Sequence, residues 1–530
     1  MDLPSTVYKE AIAGRGNGLK ASADIDIGAP VFACIPVVAV PSTEGRSSTC
    51  ACCFRFMTPT GNAFIPGAVG QLLTCSGCQA TKYCSKECQM ADWKYVHKKE
   101  CKILRGIHPR SFPTYVQLCI RLLLLDGKSR AVIFATMEPL ETHIAERSKN
   151  EEHFRDLCVM AKGAREYSGF PLPEEVVLDV LAKLTMNAAS ITSPLFDTLG
   201  GMFHPHIALL NHSCDPNAVL VFDACRLRVM PLRKIAAGEE ITISYIDNTL
   251  PSLLRRNDLK KRYFFSCNCS ACTDMSKADT RRLWYDALEC PECGTQLLPY
   301  SGTYDYRSLS GCPKCDCKAL TLSASQLREI DNLFETEPSA LYGIKTDADA
   351  QKLVTETWQV NGMRCTPLHR HPHLKLVQSL IAYYVASENW DMALKFASLE
   401  YFSQEKPLGV ANPEFYPPRL AHMMRLAVIM LSVVAAGRAR DYEMDLYQCL
   451  WYLFIKLKQL VPLGYSKEST FCAFLESRRQ VLEDRIVQVH PSAMAWLKIT
   501  DRTEPFEHAM SQFAKFSSRF EVSLWPRLLE

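Results

Sequence analysis

Three things are scarce in this sequence: net charge, long hydrophobic runs and internal repetition. The 530 residues carry a formal net charge of only +3, which on so large a surface predicts no general affinity for nucleic acid or membranes. The longest late apolar run, residues 426–436, is too short to cross a bilayer and predicts a core helix. The opening residues 1–18 do not have the composition of a signal peptide. We therefore expect a globular protein of about two to four domains that makes no membrane contact.

Cysteine, in contrast, is abundant, with 24 residues that concentrate in C-x2-C pairs. A secreted disulfide protein would be shorter and would begin with a signal peptide, so these pairs predict thiolate ligands of zinc in a reducing compartment. Between residues 50 and 101, seven thiols and one imidazole form four pairs, enough for two closed structural zinc sites. They are Cys50, Cys53, Cys75, Cys78, Cys84, Cys88, His97 and Cys101, and Cys52 is an alternative to Cys50.

Two C-P-x-C pairs further along the chain predict a zinc ribbon. They are Cys290 with Cys293 and Cys312 with Cys315, and Cys317 is an alternate ligand. Three histidines lie close together in the sequence: His369, His371 and His373. Histidine is a common metal ligand, but their position around Pro372 favours a surface loop.

Two motifs near the middle of the chain and one near its start combine turn residues with apolar surroundings. Leu209–Asn217 is a polar, turn-rich loop that contains Asn-His-Ser-Cys. Gly238–Tyr245 is a Gly-Glu turn leading into an alternating strand. Gly14–Leu19 places three glycines within five positions, which permits a tight turn and a close approach of the backbone to a ligand. Each motif alone is common in ordinary turns, so it is their combination that is specific.

In this order, the two central motifs resemble the signatures of SET-domain lysine methyltransferases. The cysteine order of residues 50–101 resembles a MYND zinc finger, and Arg15-Gly16-Asn17-Gly18-Leu19 resembles the first motif of the SET and MYND domain (SMYD) family. The resemblance implies an α+β multidomain fold. A β-rich SET domain would be split by the MYND finger and a helical insert, and a zinc-binding post-SET segment and an α-helical, TPR-like C-terminal domain would follow.

The domains expected from this resemblance are the N-terminal part of the SET domain (1–49), the MYND finger (50–101), the helical insert (102–185), the core SET domain (186–250), the post-SET zinc segment (251–280), the ribbon (281–320) and the helical C-terminal domain (321–530). Helical periodicity predicts helices over Val116–Leu125, Glu174–Leu184, Leu376–Ala386, Trp390–Tyr401, Tyr416–Ala436 and Glu443–Leu460.

The family resemblance also implies a function: transfer of a methyl group from S-adenosylmethionine (SAM) to the ε-amine of lysine in histone or non-histone proteins. Tyr245 would be the catalytic residue and would orient the amine through its hydroxyl. Cofactor contacts would come from Arg15, Gly16, Asn17, Gly18, Asn187, Asn211, His212, Tyr263 and Phe265. Arginine suits the cofactor's carboxylate because its planar fork can bind two oxygens.

The same resemblance assigns the zinc ligands of three sites, and the ribbon predicted from the C-P-x-C pairs adds a fourth. Two lie in the MYND finger, one in the post-SET segment and one in the ribbon. In the family pattern Cys50, Cys53, Cys84 and Cys88 hold one MYND zinc, and Cys75, Cys78, His97 and Cys101 hold the other. The post-SET site would consist of Cys214, Cys267, Cys269 and Cys272.

Two departures from the family pattern keep a second interpretation open. Ala189 replaces a frequent aromatic residue of the lysine channel, and His204 stands where tyrosine is frequent, which implies a wider channel. The alternative is a MYND-based protein-interaction adaptor or transcriptional co-regulator with a weakly active or inactive SET fold. A sequence-specific DNA-binding protein is disfavoured, because no basic recognition helix is present.

The expected partners are protein substrates with an accessible lysine and proline-rich peptides at the MYND finger. We expect a monomer that resides in the cytoplasm and nucleus.

Overall fold

The sheets of the N-terminal half join strands that are distant in sequence. Phe32–Cys34 pairs antiparallel with Arg226–Pro231, which pairs in turn with Ala218–Asp223. Val38–Pro41 pairs antiparallel with Thr198–Phe203, whose other neighbour is Ala189–Thr192. The chain therefore leaves this β-rich unit after Pro41 and returns to it at Ala189, with two other units between.

The computed structural model describes residues 2–58, 65–273, 284–297, 308–336, 344–360 and 362–520. The boundary expected between the post-SET segment and the ribbon, at residues 280 and 281, lies outside the described residues. Strands run over Val7–Ile12, Gly16–Ala21, Phe32–Cys34, Val38–Pro41, Leu73–Thr74, Lys82–Tyr83, Ala189–Thr192, Thr198–Phe203, Asn211–His212, Ala218–Asp223, Arg226–Pro231, Thr242–Ile243, Leu288–Glu289, Gln296–Leu297, Leu309–Ser310 and Thr321–Leu322.

The helices lie mainly in the middle and in the C-terminal part. They are Lys86–Asp92, Lys98–Ile107, Thr114–Leu124, Gly127–Met137, Ile144–Arg147, Glu151–Ser168, Glu174–Asn187, Ser252–Tyr263, Ser270–Thr273, Ala324–Thr336, Asp347–Gln359, His373–Ala386, Trp390–Ala411, Pro417–Ala435, Leu446–Tyr465, Thr470–Val489, Met494–Leu497 and Glu507–Ser518. The helices predicted from periodicity are all present, with ends that differ by at most ten residues. The largest difference is at Trp390–Ala411, which continues through Pro407.

The cysteine-rich unit and the helices that follow it are joined by a buried ionic network. Arg121, on the helix Thr114–Leu124, donates to both carboxylate oxygens of Glu100 at 3.0 Å and to Asp92 at 2.9 Å. It also donates to the carbonyl of Ala39 in the β-rich unit. Burial alone would raise the pKa of Glu100, but the Arg121 charge and hydrogen bonds from His97, Arg121 and Gln117 lower it to about 2. One guanidinium thus ties three units together.

The C-terminal helices form the largest hydrophobic cluster, and consecutive helices pack against each other. Pro417–Ala435 is long and apolar enough to cross a membrane by length and composition, but 67% of its most apolar window is buried among neighbouring helices. This agrees with the core helix predicted from residues 426–436. Leu195, Val221 and Met230 of the β-rich unit belong to the same cluster, so the helical unit and the β-rich unit share a core.

The prediction of a surface loop around Pro372 was wrong, since His369, His371 and His373 are all buried. Each ring meets a different partner. His371 Nε2 lies 3.1 Å from the Thr249 hydroxyl, His373 Nδ1 lies 2.9 Å from a backbone carbonyl, and His369 packs edge-on against Trp284. Tertiary contacts therefore bury a segment that looks exposed in the sequence.

Replacing Arg121 with methionine should destabilise the protein by about 3–5 kcal/mol, because Glu100 and Asp92 would remain buried without their shared cation. Urea denaturation followed by tryptophan fluorescence measures the change. Arg105→Met, an exposed arginine on the neighbouring helix, is the matched control and should stay within about 0.5 kcal/mol of the parent. Equal stability of the two variants would contradict the assigned role of Arg121.

Candidate active site and zinc centres

The cysteine pairs converge on four clusters, each with four ligand atoms within 4.8 Å of one another. Their members are Cys50, Cys53, Cys84 and Cys88; Cys75, Cys78, His97 and Cys101; Cys214, Cys267, Cys269 and Cys272; and Cys290, Cys293, Cys312 and Cys315. Tetrahedral zinc with Zn–S bonds of about 2.3 Å separates its sulfurs by about 3.8 Å. The Cys214–Cys267 and Cys214–Cys272 sulfurs lie 3.9 and 3.7 Å apart. The donor sets therefore fit closed zinc sites.

In the first and fourth clusters the structure selects between neighbouring cysteines. Cys50, not Cys52, joins the first cluster, and Cys315, not Cys317, joins the fourth. In the second cluster His97 points Nε2 towards Cys78, at 3.8 Å, while its Nδ1 lies 3.2 Å from Glu100. A carboxylate behind a histidine ligand fixes the ring's orientation, and this is a common arrangement around zinc.

The two central motifs meet through a short parallel strand pair. Thr242 lies opposite Asn211, and Ile243 lies opposite His212. Parallel pairing in register carries Tyr245, two residues beyond Ile243, beside the first motif. The Tyr245 amide donates to His212 Nδ1 at 3.1 Å, and its hydroxyl donates to the carbonyl of Leu210 at 2.6 Å.

The Glu240 carboxylate joins the N-terminal motif to both central motifs. Arg15 donates to one of its oxygens at 2.8 Å, and the Asn211 amide donates to the other at 2.9 Å. Arg15 also donates to the carbonyl of His212, and Asn211 has a longer contact to the carbonyl of Asn17. Three segments separated by up to 225 residues therefore meet at one negatively charged group.

The glycines of the first motif have two separate reasons to be glycine. Gly14 and Gly16 flank the turn between Val7–Ile12 and Gly16–Ala21 with φ of +70° and +69°, and a Cβ added at either would have no atom within 4 Å. Gly18 instead faces a crowded space, where a Cβ would stand 2.7 Å from Ile12 and 2.9 Å from the Asn211 amide. The turn thus presents bare backbone to open space on one side and packs tightly on the other.

Aromatic rings surround the imidazole of His212. The Tyr245 and Phe265 rings lie 5.3 and 5.9 Å from it, and Tyr263 lies 5.0 Å from Tyr245. Burial lowers the pKa of His212 to about 4, so the ring is neutral at pH 7. Its Nε2 lies 3.3 Å from the sulfur of Cys214, and its Nδ1 accepts from Tyr245, so Nε2 carries the proton and donates to sulfur. His212 thereby links the third cysteine cluster to Tyr245.

A cavity of about 2080 Å³ opens beside these rings, between the β-rich unit and the C-terminal helices. Tyr245, Tyr263, Asn187 and Ala189 line it, whereas Arg15, Asn17, Asn211 and His212 are not among its lining residues. Asn187 ends its helix with its amide donating to the carbonyl of Lys183. Of the cofactor residues expected from the sequence, Arg15, Asn17, Asn211 and His212 therefore form one bonded group, whereas Asn187 and Tyr263 lie on the cavity wall.

His204 does not line this cavity. It is buried against His206 with ring centroids 4.7 Å apart, and burial together with the His206 charge lowers its pKa to about 4. Of the two departures noted in the sequence, Ala189 alone borders the cavity.

Two groups with a role in the site were not identified from the sequence as site residues. Glu240 is the junction just described. Asn217 is buried, donates to Glu239 and to the carbonyl of Glu240, and accepts from the Thr242 amide at 2.8 Å. Both belong to the motifs themselves, so the signal was present; what the sequence could not give was which group each side chain would meet.

Comparison with known proteins agrees with this geometry. Residues 50–101 match the MYND finger family. The chain is 37% identical to the SET domain and MYND-type zinc finger protein 6 of Schizosaccharomyces pombe, over 37% of this chain and 40% of that protein. It is 32% identical to human histone-lysine N-methyltransferase SMYD3, over 52% of this chain and 63% of that protein. It is 30% identical to N-lysine methyltransferase SMYD2-A of Danio rerio, over 52% and 62% respectively.

The chain is thus a MYND zinc-finger protein of mixed helix and sheet. Over about half of its length or less, it is similar to SET and MYND domain (SMYD) proteins. The matched part spans less than two thirds of the length of each of these three relatives.

Purified protein should contain four zinc ions per chain by mass spectrometry of metals, because each cluster supplies a complete tetrahedral donor set. Cys293→Ser should reduce the count by one. Cys158→Ser, a cysteine that lies in the helix Glu151–Ser168 outside these clusters, should leave it unchanged. Three zinc ions in the parent protein would mean that one of the four sites does not bind zinc. If Cys293→Ser then also contained three, that site would be the ribbon.

Proposed function

We propose that this protein is a SAM-dependent protein-lysine N-methyltransferase that acts on histone or non-histone proteins. The observation that carries the proposal is the parallel pairing of Thr242–Ile243 with Asn211–His212. It holds a partly buried tyrosine beside a polar loop, at the edge of a cavity large enough for a polypeptide segment. The relatives' names, histone-lysine and N-lysine methyltransferases, agree with this assignment.

The residues present suit SAM on two counts. The turn at Gly14 and Gly16 leaves backbone open to solvent, and Arg15, whose side chain is 29% exposed, keeps N–H groups beyond those given to Glu240 and His212. Tyr245, Tyr263, Phe265 and neutral His212 offer ring faces to a planar base and to a cation. When bound, SAM would supply an electrophilic methyl group on a positively charged sulfur.

This chain's own residues would then present the amine of the substrate lysine in its neutral form and aligned with the methyl group. A free lysine has a pKa of about 10.4 and must lose its proton to water before it can attack, and a water-poor channel near a positive charge favours that loss. Burial raises the pKa of Tyr245 well above its ordinary value, so the phenol stays protonated and does not act as a base. With its hydroxyl fixed on the carbonyl of Leu210, Tyr245 orients the incoming amine.

The architecture is interpreted in the same terms. We take the β-rich unit formed by residues 7–41 and 189–243 as a SET domain split by the MYND finger and the helical insert. The paired antiparallel helices from His373 onward support a TPR-like C-terminal domain, since each packs mainly on its neighbour in sequence. We expect the protein in the cytoplasm and nucleus, acting as a monomer.

The MYND finger supports a second function, binding of proline-rich peptides. Leu73, Met90 and Trp93 are between 40% and 50% exposed on this unit. Exposed aromatic and apolar side chains are what extended proline-rich segments bind. If methyl transfer is absent, this surface makes the adaptor interpretation the leading one.

Tyr245→Phe should bind SAM with unchanged affinity and lose activity by about 10²-fold, the cost of removing one positioned hydroxyl from a transition state. Transfer of a radiolabelled methyl group to lysine in cell-extract proteins measures activity, and titration calorimetry measures affinity. Tyr167→Phe, at an exposed tyrosine outside the candidate site, is the control and should retain most activity. Full turnover by Tyr245→Phe would rule out its assigned role.

Asn211→Ala should weaken SAM binding by roughly tenfold or more, because it leaves one oxygen of the partly buried Glu240 carboxylate without its donor and frees the N-terminal turn. Titration calorimetry on zinc-loaded protein measures the loss. Asn248→Ala, which removes an amide from the cavity wall outside the Glu240 junction, is the matched control. Unaltered affinity of Asn211→Ala would exclude this part of the cofactor site.

A further inference from the structure

The helical insert contacts the post-SET segment through Phe264. This residue follows the helix Ser252–Tyr263 directly and has a φ of +61°. Left-handed backbone is unusual for a bulky side chain, and it is retained where surrounding contacts fix it. No role in the proposed chemistry has been given to Phe264 or to the insert so far.

The contacts that hold Phe264 come from the two ends of a short insert helix, Ile144–Arg147. The imidazole of His143 stacks on the Phe264 ring, with centroids 5.2 Å apart and planes 27° apart. The Arg147 guanidinium lies over the same ring, 5.5 Å from its centroid. His143 is itself left-handed, with a φ of +52°. Two residues in an unfavourable conformation therefore face each other in a stack.

Arg147 is anchored so that it can serve as a fixed surface. Its Nε donates to the carbonyl of Thr142 at 3.0 Å, and a terminal nitrogen donates to the Thr185 hydroxyl at 3.0 Å. Thr185 lies two residues before Asn187, on the helix that ends at the cavity wall. Arg147 thus fixes the position of Phe264 relative to the helix end that carries Asn187.

On the other side, the neighbours of Phe264 face the candidate active site. Tyr263 lies 5.0 Å from the Tyr245 ring, and Phe265 lies 5.9 Å from the His212 ring. Consecutive side chains around a left-handed residue point in different directions, so the middle ring faces the insert while its two neighbours face the site. A shift of Phe264 must move both of them.

We infer that Phe264 is a positioning residue, a latch by which the helical insert holds Tyr263 and Phe265 over the cofactor. The latch consists of Phe264, His143 and Arg147. This inference rests on the proposed function, because it assigns the two neighbouring rings to SAM. Its consequence is that the insert, although remote in sequence from both halves of the site, controls how long the cofactor stays bound.

Phe264→Leu removes the ring and keeps apolar bulk and the same backbone constraint. SAM should dissociate from this variant roughly two- to fivefold faster, the effect of one ring and cation contact, with the KM for SAM raised in proportion. The kcat at saturating SAM should stay within about twofold, whereas partial unfolding would lower kcat. Phe264→Tyr restores the ring and should behave as the parent. Stopped-flow displacement by S-adenosylhomocysteine measures dissociation.

Arg147→Met should have a smaller effect in the same direction, and its combination with Phe264→Leu should add little, because both remove one stack. Arg130→Met is the matched control, since Arg130 lies 4.9 Å over Phe170, a different ring.

Amide exchange of residues 263–272 without cofactor tests the latch by itself, and should be faster in Phe264→Leu. Unchanged exchange and dissociation would overturn the inference. If the parent binds no SAM, the proposed function fails, and faster exchange would still support the latch as a structural contact.

Discussion

The negative charge of Glu240 is the constraint on which the site depends. A carboxylate that is mostly removed from water must be matched by donors, and here the donors come from two other segments, Arg15 and Asn211. Each of them also holds backbone: Arg15 the carbonyl of His212, and Asn211 the carbonyl of Asn17. Displacing any one of the three segments would leave a charge or an amide without a partner. The close packing of Gly18 against Asn211 removes the space in which such a displacement could occur.

This local rigidity allows large units to be placed between the two halves of the β-rich unit. In the part of the chain that the structure describes, each sheet contains two or three short strands, and an isolated sheet needs at least three for stability. Zinc ligands and buried ions supply what the sheets lack. Arg121 joins the MYND finger, the helix Thr114–Leu124 and the carbonyl of Ala39, while His212 joins the sulfur of Cys214 to Tyr245. The small sheets thus share a hydrophobic core, and charged and thiolate clusters hold them at their ends.

A feature could be predicted from the sequence when the residues that form it lie close together along the chain or within a recognisable motif. Most zinc ligands recur at short fixed spacings, and the family resemblance supplied the distant Cys214, so the members of all four clusters could be named beforehand. Tyr245 was identifiable because its motif is contiguous. His369, His371 and His373 were misjudged because their partners, Thr249 and Trp284 among them, are distant in sequence and no local pattern encodes them. The ends of the C-terminal helices were misplaced for a related reason: packing on neighbouring helices carries Trp390–Ala411 past Pro407, where local propensity would stop it.

The C-terminal helices belong to the candidate site in a physical sense, because their charges reach into its wall. Burial alone would raise the pKa of Glu400, but Arg425, His422 and Gln378 lower it to about 2, so it stays ionised at the cavity edge. Arg425 then donates to the carbonyl of Leu195 in the β-rich unit. A hydrogen bond between Thr470 and Asp223 makes a second connection. Opening the cavity by moving these helices would have to separate a buried ion pair from its backbone anchor, and that cost opposes separation of the two units.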